Sequence, residues 1–131
     1  MDIQIATLCD SAADYQGKLC ILGSFDTLAA PQTPVVHPQC ALAIRICFLP
    51  EDEGHHKFRI RFVNADGQGV TPAIEPDIDV SLPDNTYYLT RNLVINLQQL
   101  KFEQAGQYSV EIASNDTILK QLPLRVVQVN R

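Results

Sequence analysis

Apolar and polar residues alternate one by one in several segments of this chain, and this pattern restricts the fold more than any other feature. The most regular example is Lys57–Val63, in which every second residue is apolar. Gln39–Leu49 has the same period over a longer run, and Asp77–Leu82 repeats it in a shorter one. Successive side chains of a β-strand point to opposite faces, whereas a helix repeats every 3.6 residues. No segment has a sustained helical period, so the pattern predicts an all-β chain.

The alternating segments predict about seven to eight strands. We expect them at Asp2–Cys9, Lys18–Phe25, Gln39–Leu49, Lys57–Val63, Asp77–Leu82, Tyr87–Leu97, Gln107–Ser114 and Ile118–Val129. Gln16–Lys18, Asn64–Gly67 and Ser114–Asp116 contain the residues that favour tight hairpin turns. Proline cannot donate to a ladder, so three prolines predict that Ala29–Pro38 is a strand-free crossing between sheets. Only Leu97–Gln104 is compatible with a short helical turn.

One turn points to a particular architecture. Gly106 and Tyr108 stand directly before an alternating strand. In immunoglobulin-like domains a tyrosine near the start of a strand hydrogen-bonds back to the backbone of the preceding turn, which is called a tyrosine corner. We therefore expect structural roles for Gly106 and Tyr108. The prediction is a single domain over residues 1–131, an antiparallel two-sheet sandwich of immunoglobulin-like type.

Composition and charge argue against several classes of partner. The chain has 131 residues and a net charge of −5, without a Lys/Arg cluster, which disfavours nucleic-acid binding. Its apolar runs are far shorter than a membrane span, and its N-terminus lacks a secretory signal, so we expect a cytoplasmic protein without a membrane partner. The four cysteines fit no zinc pattern, and we expect thiols in or near the core. They are Cys9, Cys20, Cys40 and Cys47.

The histidines and carboxylates are the first candidates for chemistry, and each has a simpler structural interpretation. A metal site can be drawn around His55 and His56, but adjacent residues diverge on a strand, so we interpret this segment as a solvated hairpin loop. Three carboxylates share a face, which we interpret as cross-strand ion pairing with the basic residues Lys57, Arg59 and Arg61. They are Glu75, Asp77 and Asp79. Nucleophile motifs and glycine-rich phosphate loops are missing from the sequence. We therefore predict no catalytic residue, no metal ligand and no cofactor.

Arg91 interrupts an otherwise apolar face of the strand Tyr87–Leu97. An unpaired buried guanidinium is very costly. We therefore favour a bulge near Thr90–Asn92 or a position at the rim of the sheet over a buried, paired arginine.

Several short motifs resemble those of a family of uncharacterised bacterial proteins. In that family a strand ends in ILGxFDT and an HP pair follows, and Ile21–Thr27 and His37-Pro38 match these motifs. The Gly-x-Tyr at Gly106–Tyr108 and the segment Leu122–Val127 also fit. The resemblance covers nearly the whole chain and implies bacterial origin, a cytosolic domain of this size and an immunoglobulin-like fold. The family is of unknown function, so the resemblance implies no catalytic residues.

The end of the ILGxFDT motif is the main candidate for a functional surface. Phe25, Asp26 and Thr27 leave their strand near His37, and Asp26 either binds backbone N–H groups in the turn or recognises a partner. We expect a non-catalytic binding or protein-interaction module with an unidentified protein partner, since sheet edges and end loops suit such recognition. A homodimer fits this expectation. The alternatives are a small-ligand protein or enzyme with a site at one end of the sandwich, and a structural subunit of a larger bacterial assembly.

Overall fold

The structure is a computed structural model that describes residues 1–129, and within that range the chain forms nine strands in two sheets. The strands are β1 (Asp2–Tyr15), β2 (Lys18–Phe25), β3 (Thr27–Ala30), β4 (Val35–Phe48), β5 (Gly54–Asn64), β6 (Asp77–Val80), β7 (Leu89–Phe102), β8 (Gly106–Ser114) and β9 (Thr117–Gln128). The first sheet has the order β2-β1-β4-β7, and the second has the order β3-β9-β8-β5-β6. The all-β prediction is confirmed, although the predicted count of seven to eight omits β3. Asn130 and Arg131, which the predicted domain included, lie outside the described residues.

The two sheets contribute side chains to one hydrophobic core. The alternation in the sequence places Phe58, Ile60 and Phe62 of β5 in this core, where each is about 1% exposed. From the other sheet, β7 contributes Phe102, whose ring meets that of Phe62 edge to face at a centroid distance of 6.4 Å. Edge-to-face contacts of this kind are favourable beyond the area that they bury. The period-2 pattern therefore predicts the buried face of these strands correctly.

β7 pairs with β4 in a single register that skips only Pro38 and Gln99, and this pairing overturns one local prediction. The register runs from Leu89 opposite Phe48 to Phe102 opposite Val35 without a shift. The short helical turn predicted for Leu97–Gln104 is therefore wrong, because burial of Leu100 and Phe102 against the core keeps this segment extended. The same unbroken register excludes a bulge near Thr90–Asn92. Arg91 is exposed at the rim, the other position that the sequence favoured.

The predicted strand-free crossing over Ala29–Pro38 is mostly wrong. Ala29 and Ala30 belong to β3, which pairs in parallel with β9, and β4 already begins at Val35. Only residues 31–34 carry the chain from the second sheet to the first. Pro38 is tolerated inside β4 because neither neighbouring strand pairs with it. β1 pairs with β4 no further than Ala41, and the ladder to β7 skips Pro38.

β1 and β2 form a hairpin that folds over the outer face of the first sheet. β1 pairs with β4 only as far as Cys9 and then continues to Tyr15 paired with β2 alone, so the predicted end at Cys9 is the end of the inner ladder rather than of the strand. The hairpin covers a floor of small buried residues, Cys9, Ala41 and Ala43, with Val94 beside it. Small residues allow a third layer of backbone to approach this closely.

Two polar side chains of the sheet hold the tip of this hairpin. Arg45 Nη1 donates to Gly17 O at 3.0 Å and to Asn92 Oδ1 at 2.8 Å. Asn92 Nδ2 in turn donates to Asp14 Oδ1 at 3.0 Å and to Gly17 O at 3.2 Å. The hairpin is therefore fixed at its turn by hydrogen bonds and along its length by the small-residue floor.

The predicted hairpin turns at the ends of β1 and β8 are confirmed. Gln16 and Gly17 have φ angles of 52° and 82°, and Asn115 and Asp116 have φ angles of 52° and 63°. Two successive left-handed residues are the signature of a type I′ turn, which matches the twist of the flanking strands. At the third turn Asn64 Oδ1 accepts hydrogen bonds from the backbone N–H groups of Asp66 and Gln68, both at 3.0 Å.

The four cysteines are free thiols, and one of them departs from the prediction. Cys9 and Cys40 are buried and Cys47 is half-buried, as expected for small core residues. Burial raises the pKa of the Cys40 thiol to about 11. Cys20 is exposed, because β2 is the last strand of its sheet and one of its faces meets solvent.

Candidate functional site

The four residues of the predicted interaction patch take part in two different contacts. The rings of Phe25 and His37 pack at a centroid distance of 5.5 Å with their planes tilted by 54°. Asp26 Oδ1 instead accepts a hydrogen bond of 2.8 Å from Thr27 Oγ1, and Asp26 O accepts one of 2.8 Å from the backbone N–H of Arg125. Phe25 and His37 therefore form a packing contact, while Asp26 and Thr27 organise the step from β2 to β3.

His37 carries a buried ring nitrogen without a partner. Among the described residues nothing hydrogen-bonds to its Nε2, which is shielded from solvent. A buried polar atom in this condition destabilises the fold by about 1–3 kcal/mol. The same is true of Nδ1 of His56. The favourable packing of the surrounding side chains offsets this loss of stability.

A small open cavity lies beside Asp26. Its volume is about 290 Å³, and Thr7, Ser24, Phe25 and Asp26 are among the residues that line it. The hydroxyl groups of Thr7 and Ser24 hydrogen-bond to each other, and either can be the donor. Thr27 and His37 do not line the cavity. Its size is at the lower end of the range for small-ligand sites, about 300–1,000 Å³, so it accommodates only a small polar molecule.

His55 lies on the edge of the second sheet between two carboxylates. Its Nδ1 is 2.7 Å from Asp79 Oδ1 and its Nε2 is 3.2 Å from Asp77 Oδ1. The hydrogen bond to Asp79 raises the pKa of His55, and the negative charges of Asp79 and Asp77 add to this. The histidine is part of β5, so the predicted solvated loop is wrong at this position, although the side chain is exposed.

The predicted ion pairing of Glu75, Asp77 and Asp79 with the basic face of β5 is confirmed for Glu75 and wrong for the two aspartates. The strands do pair, with Lys57 opposite Asp77 and His55 opposite Asp79. The Lys57 ammonium nevertheless bonds to Glu75 Oε2 at 3.3 Å, which leaves both aspartates to His55. Exposed pairs of this kind contribute at most about 1 kcal/mol each.

His56 points away from His55 and serves a packing role. Its ring lies 5.4 Å from that of Phe48 and 6.5 Å from that of Phe58. Its Nε2 is 2.5 Å from the carbonyl oxygen of Asp52. In residues 1–129 no three His, Cys, Asp or Glu side chains are grouped as metal ligands would be.

The longest strand at a sheet edge in the described residues is β7, at the open edge of the first sheet. β7 is the last strand in its sheet, has 14 residues and pairs only with β4. Its segment Asn92–Leu100 contains neither a charged residue nor a proline. Leu93 and Ile95 pack against the core yet stay half-buried, and Val94 contacts the small-residue floor on the other face. Unpaired N–H and C=O groups in such a setting are a template for another strand.

The other sheet edges are shorter or blunted. β3 and β6 have four residues each, and Asp77 and Asp79 make the β6 edge acidic. β2 has eight residues, and Gly23 bends it at a φ of +71°. Charges, short strands and bends are devices that discourage strand addition. β7 carries none of them between Asn92 and Gln98, and its backbone turns left-handed only at Gln99, with a φ of 56°.

Two exposed tyrosines precede this edge. Tyr87 is 86% exposed and Tyr88 is 59% exposed, directly before β7 begins at Leu89. Tyrosine is enriched in protein interfaces because it offers a large apolar surface together with a polar end. The sequence pattern had placed Tyr87 on the apolar face of a strand, which is wrong because β7 begins two residues later. Strong exposure of adjacent aromatic residues is a signal that only the structure provides.

A family model described as a family of unknown function, DUF6941, matches residues 4–127. The chain belongs to this family, which confirms the expected membership of an uncharacterised family. Neither a curated protein nor a solved structure is significantly similar to the chain. Across residues 1–129, the structure has no helix with the length and apolar character that a membrane crossing requires.

Proposed function

We propose that this chain is a non-catalytic protein-interaction module with an immunoglobulin-like sandwich fold, and that β7 is its docking edge. The observation that carries the proposal is the long, uncharged and unpaired β7 at the end of the first sheet. Support for the fold type comes from the turn before β8. There Tyr108 Oη donates to Gln104 O at 2.6 Å, which is the hydrogen bond of a tyrosine corner.

Strand addition explains why β7 is left open. An extended peptide that pairs with an edge strand gains main-chain hydrogen bonds along its length and places alternate side chains on the two faces of the sheet. Each partner strand would also cover the exposed parts of Leu93, Val94 and Ile95. Burial of apolar surface contributes about 25 cal/mol per Å², so these side chains add affinity to the backbone pairing.

The tyrosines extend the same surface beyond the strand. Tyr87 and Tyr88 lie in the connection from β6 to β7, so a partner strand paired with β7 runs alongside them. Tyrosine is enriched in protein interfaces, also outside the paired backbone. The docking surface therefore has a backbone part and an aromatic part.

The test is capture of binding proteins with tagged wild-type, Val94→Lys and Val94→Thr chains. Threonine keeps the shape and strand preference of valine, whereas lysine places a charge on the open edge. We expect the wild type and Val94→Thr to capture the same partner protein and Val94→Lys to lose it. An untagged copy of this chain counts as a partner protein in this assay. Capture that does not respond to Val94→Lys would contradict β7 as the docking edge.

A second function is favoured by one observation, the cavity beside Asp26. The Thr7 and Ser24 hydroxyls and the Asp26 carboxylate line the same small space, which suits a small polar ligand. Thermal-shift screening of small polar compounds against the wild type and Asp26→Ala tests this candidate. Unchanged melting of the apo variant with lost ligand response supports a binding role. A large loss of melting temperature in Asp26→Ala instead assigns Asp26 to the β2–β3 turn.

A further inference from the structure

We propose that the partner at β7 is a second copy of this chain, paired antiparallel about a twofold axis that passes through Val94. This inference rests on the proposed function of β7 as a docking edge. The two first sheets would then join into one continuous sheet of eight strands, with β7 next to β7 at its centre. Twofold pairing consumes the open β7 edge of both copies, so the assembly closes as a dimer instead of growing into a filament.

The residues of β7 are complementary to themselves in this register. Val94 lies opposite Val94, Leu93 opposite Ile95, and Asn92 opposite Asn96. Residues directly opposite in an antiparallel pair share a face, so apolar side chains meet apolar ones. The Asn92 amide is already bonded to the hairpin tip, so the apolar pairs carry the match. The half-buried Leu93 and Ile95 would each gain cover from the other copy on the core side of the sheet.

Neighbouring registers lose this match. A twofold axis through Ile95 places Val94 opposite Asn96, which pairs an apolar side chain with an amide. An axis through Asn96 places Arg91 opposite Lys101, and like charges directly opposite are destabilising. With the axis through Val94, Arg91 faces Leu97 instead. Of these three registers, the one with the axis through Val94 therefore gives the best match between apolar side chains at its centre.

The lack of charge on β7 also favours a second copy over a strongly acidic or strongly basic partner. The segment Asn92–Leu100 offers no charged group that would select an acidic or basic peptide. The net charge of −5 is carried outside this segment, for example by Asp77 and Asp79 of β6. An uncharged, self-complementary strand is what an isologous interface requires.

Sedimentation analysis of the whole chain over a wide concentration range tests the proposal. We expect a species of twice the 14.6 kDa chain mass for the wild type and for Val94→Thr. Val94→Lys brings two ammonium groups face to face at the axis and removes apolar burial, so its self-association should weaken by about 10- to 100-fold. A wild type that stays monomeric throughout, or a dimer that Val94→Lys leaves unchanged, would overturn the inference.

Cross-linking gives an independent test, because Val94 also packs against the small-residue floor and Val94→Lys can weaken the monomer itself. In a Cys20→Ser background, which removes the exposed thiol, a cysteine is introduced by Val94→Cys or by Asn96→Cys. Opposite residues have Cβ atoms about 4.5–5.5 Å apart, whereas the two positions 96 are about 13 Å apart along the paired strands. We expect mild oxidation to yield covalent dimers of Val94→Cys and not of Asn96→Cys. The reverse pattern would overturn the register.

The two proposals fail in different ways. If the wild type is monomeric but captures another protein that Val94→Thr keeps and Val94→Lys loses, the second copy is the wrong occupant and the docking edge stands. If neither self-association nor capture responds to Val94→Lys, both proposals are wrong.

Discussion

The two edge strands of the first sheet differ: the chain folds one of them back over the sheet and leaves the other open. At one edge β2 has eight residues, bends at Gly23 and folds with β1 over the outer face of its own sheet. At the other edge β7 has 14 residues, keeps one register with β4 throughout and stays uncovered. Part of the β2 edge is therefore already occupied by contacts within the chain. The β7 edge is the one that the chain leaves for pairing with another strand.

This difference has a local cause on each side. The β1–β2 hairpin leaves the sheet where Gly23 adopts a left-handed φ beside Asp10, and Arg45 and Asn92 then hold its tip. β7 has no such bend before Gln99. Apolar side chains along the strand, from Leu89 to Phe102, pack against the core and keep β7 in the sheet. An edge is thus closed or open according to a few backbone and hydrogen-bonding positions, even within one sheet.

The largest expected effect is the loss of the hairpin anchor in Arg45→Ala. The substitution removes two hydrogen bonds of a charged donor, to Gly17 O and Asn92 Oδ1, and should lower the free energy of unfolding by about 1.5–3 kcal/mol. Urea denaturation measures this loss, and amide exchange should show faster opening of the β1–β2 hairpin than of β7. Arg59→Ala is the matched control, because Arg59 is exposed on β5. Equal losses in both variants would show that the hairpin is not anchored by Arg45.

The next effect tests the bend itself. Gly23→Ala places a Cβ in a left-handed conformation and within 3 Å of the Asp10 carboxylate, so the variant should lose about 1–2 kcal/mol of stability. Chemical denaturation is the measurement. Gly69→Ala serves as control because a Cβ there meets only ordinary contacts, the nearest at 3.7 Å. A Gly23→Ala variant as stable as the wild type would mean that the bend does not depend on glycine.

A smaller effect is expected at the far end of β7. Tyr108→Phe keeps the ring that packs against Phe102 at a centroid distance of 4.9 Å and removes only the hydrogen bond to Gln104 O. The loss should be about 1 kcal/mol, and Tyr108→Ala should lose clearly more because it also empties the ring position. Thermal melting of both variants separates the hydroxyl from the ring. If Tyr108→Phe melts like the wild type, the corner hydrogen bond does not stabilise the end of β7.

The smallest effect concerns the acidic β6 edge, which contrasts with the uncharged β7 edge. Asp79→Asn should lower the pKa of His55 towards its ordinary value, because the dominant hydrogen bond to a carboxylate is removed. Since the folded pKa is raised, the contact stabilises the fold below the unfolded pKa of His55 and loses this effect as the pH rises through the folded pKa. NMR titration of the His55 ring measures the shift. An unchanged pKa in Asp79→Asn would contradict the assigned cause.

Much of the fold could be predicted from local pattern. The bounds of β2, the type I′ turns and the buried face of β5 follow from residues that are neighbours in sequence. Predictions were wrong where contacts between residues far apart in sequence determine the local structure. β3 forms because β9 lies beside it, and Leu97–Gln104 stays extended because β4 pairs with it. Likewise the contact between the rings of Phe25 and His37 joins two strands and is set by the tertiary structure.

By itself the sequence determined that this is an all-β chain, where most strands run and which of their faces are apolar, because alternation along a strand is a local property. It also matches the model of an uncharacterised family over residues 4–127. Only the tertiary structure decided that β7 is an edge, that the β1–β2 hairpin covers the other side of the same sheet and that Tyr87 and Tyr88 are exposed. The order of strands in a sheet is set by contacts between residues far apart in the chain, and a period-2 pattern is the same in a central strand as at an edge.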